Sequence, residues 1–128
     1  SCNYYPAQEV SVEKENQLTN TRLSKHVDAS FLSTFPFGLE EGLQYQNEKG
    51  ETIGVGKRDK IVAFPGFLMD LLSDGKMAAL EHQVGKVNAQ TERYSFSMFS
   101  IPRPGAKMKI GDSFFSAEEY YNKYLSLF

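Results

Sequence analysis

Residues 42–55 read GLQYQNEKGETIGV. Two β-prone runs, 42–46 and 51–55, flank Asn47, Glu48, Lys49 and Gly50. Such runs around a turn containing glycine predict an antiparallel hairpin. The same grammar extends in both directions. Upstream lie residues 2–5 (CNYY), 23–28 (LSKHVD) and the aromatic run 31–37 (FLSTFPF), with the polar stretch 12–21 (VEKENQLTNT) as a connecting loop. Downstream, residues 60–64 (KIVAF) close on Pro65 and Gly66, and Ser73, Asp74 and Gly75 mark another turn. Residues 80–87 (LEHQVGKV) and 93–101 (RYSFSMFSI) are the last two strand candidates. Pro102 and Pro104 predict the end of the sheet, because proline cannot donate to the ladder. About eight short strands at near-regular spacing predict an all-β sandwich or barrel.

The period changes near residue 116. Ser116 stands three residues before Glu119, a capping box, and Tyr120, Tyr121, Tyr124, Leu125 and Phe128 follow at helical spacing. A carboxy-terminal amphipathic helix over about 116–127 is expected. Residues 68–72 (LMDLL) read equally as a helical turn or a strand.

The totals bound the class. A length of 128 residues suits one domain with one core. A formal net charge of −2 argues against a nucleic-acid binder, which would carry a basic stripe. No apolar run approaches the roughly 20 residues that span a bilayer, and SCNYYP has no signal-peptide character. Cys2 is the single cysteine and has no internal disulfide partner, so the chain reads as cytoplasmic, with no membrane or nucleic-acid partner.

Only two histidines are present, and an imidazole metal site must draw on them. In an extended segment His26 and Asp28 point to one face. His82 follows 82 − 26 = 56 residues later. Two imidazoles and one carboxylate form the facial triad of non-haem iron(II) oxygenases, which leaves three adjacent coordination positions open. An HxD triplet alone is usually a solvated turn, and a lone histidine on an apolar strand is usually core; the weight lies in their conjunction with a third feature. Arg93 and Ser95 share one face of the 93–101 run, while Tyr94, Phe96 and Met98 share the other. An inward arginine in a barrel demands an anionic partner. A carboxylate ligand supplies one through bidentate hydrogen bonds, and the serine hydroxyl adds another. The plainer reading is an edge-strand arginine paired with Glu92 or Glu81.

With these residues in place, the sequence resembles the iron(II)/2-oxoglutarate dioxygenases of the plant flavonoid-oxidase and isopenicillin-synthase type. Asn3, Tyr4, Tyr5 and Pro6 look like the segment opening that family's barrel, and His26 to Leu32 like its metal-binding strand. Gly42, Leu43 and Gln44 look like its GLQ strand, and Ser73, Asp74 and Gly75 stand at its SNG turn. His82, Gln83 and Val84 stand at its HRV, and Arg93, Tyr94 and Ser95 form its RxS motif. The resemblance implies a double-stranded β-helix, or jelly roll, running to about residue 102 ahead of the terminal helix. It implies iron(II) held by His26, Asp28 and His82, and 2-oxoglutarate gripped by Arg93 and Ser95 with Asn3 and Tyr5 alongside. Phe99 would face a small organic substrate. Dioxygen and 2-oxoglutarate would be consumed, with ascorbate as an optional reductant, and the substrate hydroxylated or desaturated. Gln83 and Asp74 depart from the usual arginine and asparagine, and tuning is expected of them. Members of the family are about twice this length and carry an amino-terminal helical region, so the resemblance implies that this region or another chain covers the barrel.

Two alternatives share these residues. An isopenicillin-synthase-like oxidase keeps the RxS motif but uses it for another carboxylate, and a catalytically silent jelly-roll binding module would keep the metal site or only its shell. A cupin-like binder would use more histidines than two. Among the remaining features, Phe31, Phe35 and Phe37 read as core, and the three tyrosines near the end as helix packing. The Gly54 to Lys57 stretch reads as a turn, and Lys57 to Lys60 as a solvated loop.

Overall fold

A computed structural model describes residues 1–7, 21–86 and 90–126 of the chain. Most of the polar stretch 12–21, the end of the 80–87 run at Val87, and the last two residues lie outside the described residues. The elements in order are β1 (Cys2–Tyr5), β2 (Thr21–His26), β3 (Leu32–Phe35), β4 (Leu43–Gln46), β5 (Thr52–Gly54), β6 (Val62–Pro65), α1 (Phe67–Leu72), β7 (His82–Gly85), β8 (Arg93–Phe96), β9 (Met98–Ser100), β10 (Lys107–Ile110), β11 (Ser113–Ser116) and α2 (Ala117–Leu125). They fall into two compact units.

The first unit comprises Ser1–His26, Thr34–Val62 and Glu81–Met98. It holds a four-stranded sheet of order β2-β7-β4-β5 and a two-stranded ribbon, β1-β8. The predicted hairpin is β4-β5, with Gln46 opposite Thr52. Its turn closes on Asn47, whose side chain accepts from the Lys49 and Glu51 amides, an Asx turn. Leu39, Leu43 and Val84 are buried here. Phe35 is the one phenylalanine of its predicted trio that enters the core; Phe31 is 37% exposed and Phe37 78%. Phe37 precedes Gly38, whose φ of +82° breaks the strand alternation on which the expectation relied.

The second unit comprises Val27–Ser33, Ala63–Leu80 and Phe99–Phe128. Its core joins Leu68 of α1, Met108 of β10, and Ala117 and Tyr120 of α2. Residues 68–72 resolve as helix α1, after which Asp74 takes a left-handed φ of 53°, a conformation asparagine and aspartate tolerate better than most residues. The capping box of α2 is present as predicted: the Ser116 hydroxyl accepts from the Glu119 amide, and the Glu119 carboxylate accepts from the Ser116 amide. These bonds hold the Glu119 carboxyl below its ordinary value. A third sheet has the order β6-β3-β9.

Two expectations are corrected. The 93–101 run is two strands, β8 and β9, which pair with β1 and β3 respectively. Nor do the prolines end the sheet structure. Lys107–Ile110 and Ser113–Ser116 form a further hairpin around Gly111 and Asp112. Gly111, with φ of 60°, fills the first loop position, where a two-residue turn needs a positive φ. Proline removes a donor only where it stands, so pairing resumes three residues beyond Pro104.

Candidate metal and co-substrate site

His26 is the last residue of β2 and His82 the first of β7, and their Cα atoms are cross-strand partners. Directly opposed residues project to the same face of a sheet. The ring centroids lie 4.4 Å apart at 51°, and the rings offer ligand nitrogens within 4.8 Å of each other. The β2-β7 register shifts between Leu23 and His26, an irregularity of the kind that re-aims a side chain at a strand end. His26 Nδ1 lies 2.8 Å from the Ser24 carbonyl oxygen. A carbonyl only accepts, so Nδ1 carries the proton and Nε2 keeps the lone pair for a metal. His82 is buried, 5% exposed.

Asp28 belongs to the second unit and follows His26 by two residues. It lies beyond the end of β2 and not on the strand itself, contrary to expectation. Its Oδ2 accepts from the Ser33 hydroxyl at 2.5 Å, and Ser33 in turn contacts Ser30 Oγ at 2.9 Å, both serines being buried. The backbone around Asp28 is held just as closely. The Val27 carbonyl accepts from the Tyr124 hydroxyl, the Asp28 carbonyl from the Phe67 amide and the Ala29 carbonyl from the Tyr120 hydroxyl. The Ser30 and Phe31 carbonyls accept from the Leu68 and Gly66 amides. Five consecutive carbonyls are thus satisfied by the start of α1 and by two tyrosines of α2. Burial holds the Tyr120 phenol well above its ordinary value, with Tyr121 and Tyr124 pushing the same way, so it stays a donor. Gly66 is required by space: a Cβ there would sit 2.2 Å from the Ser30 carbonyl oxygen.

The β1-β8 ribbon carries the other candidate residues. Tyr5 faces Arg93 and Asn3 faces Ser95 across the ladder. These four residues share one face, on which Arg93 is 6% exposed and Ser95 8%. The outward face carries Tyr4, Tyr94 and Phe96, each about half exposed. Arg93 Nε donates to the Glu41 carbonyl at 2.8 Å, and Nη2 makes a longer contact of 3.5 Å to that of Glu40. The guanidinium carbon sits 5.0 Å from the Tyr5 ring centroid. Burial, with Arg22 adding to it, depresses the Arg93 pKa, against which Tyr5 and Glu40 work. Nη1 is buried and has no hydrogen-bond partner among the described residues. The arginine is therefore not the edge-strand residue paired with Glu92 or Glu81: it donates to backbone carbonyls, and the two N–H groups of Nη1 are left without a partner among the described residues. Phe99 lies on β9 in the second unit, 43% exposed.

The family model of the 2OG-Fe(II) oxygenase superfamily matches residues 1–102. The chain belongs to that superfamily. No curated protein matches it significantly. Among solved structures, a full-length Neurospora crassa protein in complex with α-ketoglutarate and thymine aligns with a TM-score of 0.83 at 19% identity, over 99% of this chain and 43% of that one. The rice dioxygenase for auxin oxidation aligns at 0.75 with 20% identity, over 98% and 45%. Its Arabidopsis thaliana counterpart, a complex with 2-oxoglutarate, aligns at 0.69 with 20% identity, over 92% and 43%. The superfamily's jelly roll is accordingly the fold here. The chain spans less than half the length of these proteins.

The residues present fit both of the superfamily's cofactors. Two imidazoles, one with its tautomer set by a backbone carbonyl, and a hydrogen-bonded carboxylate two residues beyond are a hard-to-borderline donor set suited to iron(II). A buried guanidinium with an unpaired N–H, on one face with a buried serine, suits a carboxylate.

The sequence alone points to the histidine pair, Asp28 and the Arg93 face. It does not point to Ser30, Ser33, Tyr120 and Tyr124 as supports of the Asp28 segment. For the serines a signal does stand in the chain: DASFLS places two hydroxyls within five residues of Asp28. For the tyrosines there is none, since their carbonyl partners lie more than 90 residues away.

Proposed function

We propose that this chain is the catalytic domain of an iron(II)- and 2-oxoglutarate-dependent oxygenase that hydroxylates or desaturates a small organic molecule. The observation that carries the reading is Arg93: buried, charged and with its Nη1 unpaired, on the face that also presents Ser95, Asn3 and Tyr5. A guanidinium sealed from water with an open donor is costly unless a ligand completes it.

His26 and His82 of the first unit, cross-strand partners on one face, and Asp28 of the second are the proposed iron ligands. Iron(II), when bound, supplies the centre at which dioxygen is activated and 2-oxoglutarate is oxidised to succinate and carbon dioxide. The chain's own residues do the rest. Ser24 fixes the His26 tautomer, and Ser33 orients the Asp28 carboxylate. Arg93 and Ser95 bind the far carboxylate of 2-oxoglutarate, with Asn3 and Tyr5 as neighbours on the ribbon. Tyr5 also screens the guanidinium from water. The half-exposed ring of Phe99 is offered to the substrate. The Neurospora crassa complex with thymine supports a small-molecule substrate.

Anaerobic titration with iron(II) and then 2-oxoglutarate tests this, read by the weak visible charge-transfer band of the iron chelate. The band is expected in the parent, weakened in Arg93→Ala and lost in His82→Ala. A folded protein that binds iron but shows no band with 2-oxoglutarate would exclude this co-substrate and favour an oxidase that binds another carboxylate.

A further inference from the structure

Ser97 is one pleat beyond Ser95 and plays no part in the assignments above. Alternation along β8 and its continuation buries Arg93, Ser95 and Ser97 and exposes Tyr94, Phe96 and Met98. The ladder with β1 runs one rung further than the strands themselves: the Ser97 amide donates to the Ser1 carbonyl at 2.9 Å, and the Ser97 carbonyl accepts from the Ser1 nitrogen at 2.6 Å. Backbone direction at Ser97 is therefore fixed, and its side chain lies on the same face as Ser95. That side chain is 3% exposed, and its Oγ has no hydrogen-bond partner among the described residues.

An unpaired hydroxyl sealed from water costs stability, and removing it to leave a methyl group would cost none. Two unpaired polar atoms thus stand on one face, Nη1 of Arg93 and the hydroxyl oxygen of Ser97. Successive inward residues on a strand are about 7 Å apart. A five-carbon dicarboxylate has four carbon–carbon bonds and spans on the order of 5 Å, with its terminal oxygens reaching further. A carboxylate held at Arg93 and Ser95, with its carbon chain running along the strand, would bring the other end of the molecule within reach of Ser97.

Resting on the reading above, we propose that the Ser97 hydroxyl donates a hydrogen bond to the 2-oxo acid half of 2-oxoglutarate, a third contact beyond Arg93 and Ser95. The face reads its ligand by length as well as by charge.

The test uses the full chain loaded anaerobically with manganese(II), titrated calorimetrically with 2-oxoglutarate, together with the melting temperature of the ligand-free protein. Ser97→Ala is expected to weaken 2-oxoglutarate binding about 10-fold, the scale of one hydrogen bond to a charged acceptor. Ser97→Thr, which keeps the hydroxyl, stays within about threefold of the parent if the bond is what matters. The ligand-free Ser97→Ala protein melts at the parent temperature or a few degrees above it, because it loses no internal bond. Unchanged affinity in Ser97→Ala overturns the proposal. So does a Ser97→Ala protein that melts several degrees lower and is restored by threonine, which marks the hydroxyl as structural. A parent that binds no 2-oxoglutarate overturns the co-substrate reading itself, and this inference falls with it.

Discussion

Replacing Arg93 with methionine separates what the residue does for the fold from what it does for the ligand. Methionine keeps most of the buried volume and removes the charge. The free protein loses the charged hydrogen bond to Glu41, worth about 1.5–3 kcal/mol, and the contact with Tyr5, about 0.5–2 kcal/mol. Against this it is relieved of a desolvated guanidinium with an unpaired N–H, a penalty of several kcal/mol. The terms nearly cancel, so the ligand-free Arg93→Met protein is expected to melt within about 4 °C of the parent. The liganded state behaves otherwise. At 2-oxoglutarate a hundredfold above Kd, the parent gains about 2.7 kcal/mol, or roughly 10 °C. Losing the buried charge partner of a carboxylate costs about 2–5 kcal/mol, which weakens binding by roughly 30-fold to several thousandfold. The melting shift then falls to about 3 °C or less at the same ligand concentration. Calorimetric scans of the manganese(II)-loaded protein with and without 2-oxoglutarate read both quantities. An Arg93→Met protein that melts far below the parent yet keeps the full ligand shift would refute the reasoning, because Arg93 would then be a structural arginine.

Three further outcomes follow from the geometry. Tyr120→Phe and Tyr124→Phe each strip a donor from a carbonyl beside Asp28 and should cost about 1–3 kcal/mol; manganese(II) affinity, followed by electron paramagnetic resonance, should fall about 10-fold if these bonds hold the ligand in place, and unchanged affinity would show that the segment holds itself. Gly66→Ala is expected to abolish stable folding; its φ of −97° suits any residue, so the penalty is purely the collision with the Ser30 and Asp28 carbonyls, and a protein melting within a few degrees of the parent would disprove that close approach. The Glu119 carboxyl is depressed in the folded state by its bonds to Ser116, so its contribution is complete above the ordinary value of 4.5 and is lost as pH falls through the lower folded value; urea midpoints between pH 6 and 3 should fall more steeply for the parent than for Glu119→Gln, and equal slopes would contradict the capping box.

How much of this is legible in the sequence depends on the range of the interaction. The β4-β5 hairpin and the α2 capping box rest on residues three to six apart, and both stand where the sequence places them. The histidine pair is separated by 56 residues, yet chemistry makes it readable, since a facial triad has no other imidazoles to draw on. Asp28 is legible for an incomplete reason: the two-residue spacing suggests a shared strand, whereas β2 ends at His26 and the carboxylate is oriented by Ser33. The break between Phe96 and Met98 is hidden because alternation of buried and exposed residues continues through Ser97 while the hydrogen-bonding partner changes from β1 to β3. The β10-β11 hairpin has a readable pattern, in which KMKI alternates and a Gly-Asp pair follows, but two prolines set the expected boundary too early. The tyrosine hydroxyls that hold the Val27 and Ala29 carbonyls leave no trace in the pattern, because a packing tyrosine and a donating one look alike in a sequence.

The β1-β8 ribbon has its polarity inverted. Its sheltered side carries arginine, serine, asparagine and tyrosine, while the rings of Tyr4, Tyr94 and Phe96 face outward. Hydrophobic collapse therefore does little to hold these two strands together, and on the proposed function a bound dicarboxylate would supply groups that offset the cost of ordering them. On the proposed function the co-substrate would be a component of the architecture: until it arrives, the backbone amides of β1 and β8 should be among the first to exchange with solvent, and afterwards among the better protected. If turnover consumes that component, each cycle would loosen and re-form the β1-β8 ribbon.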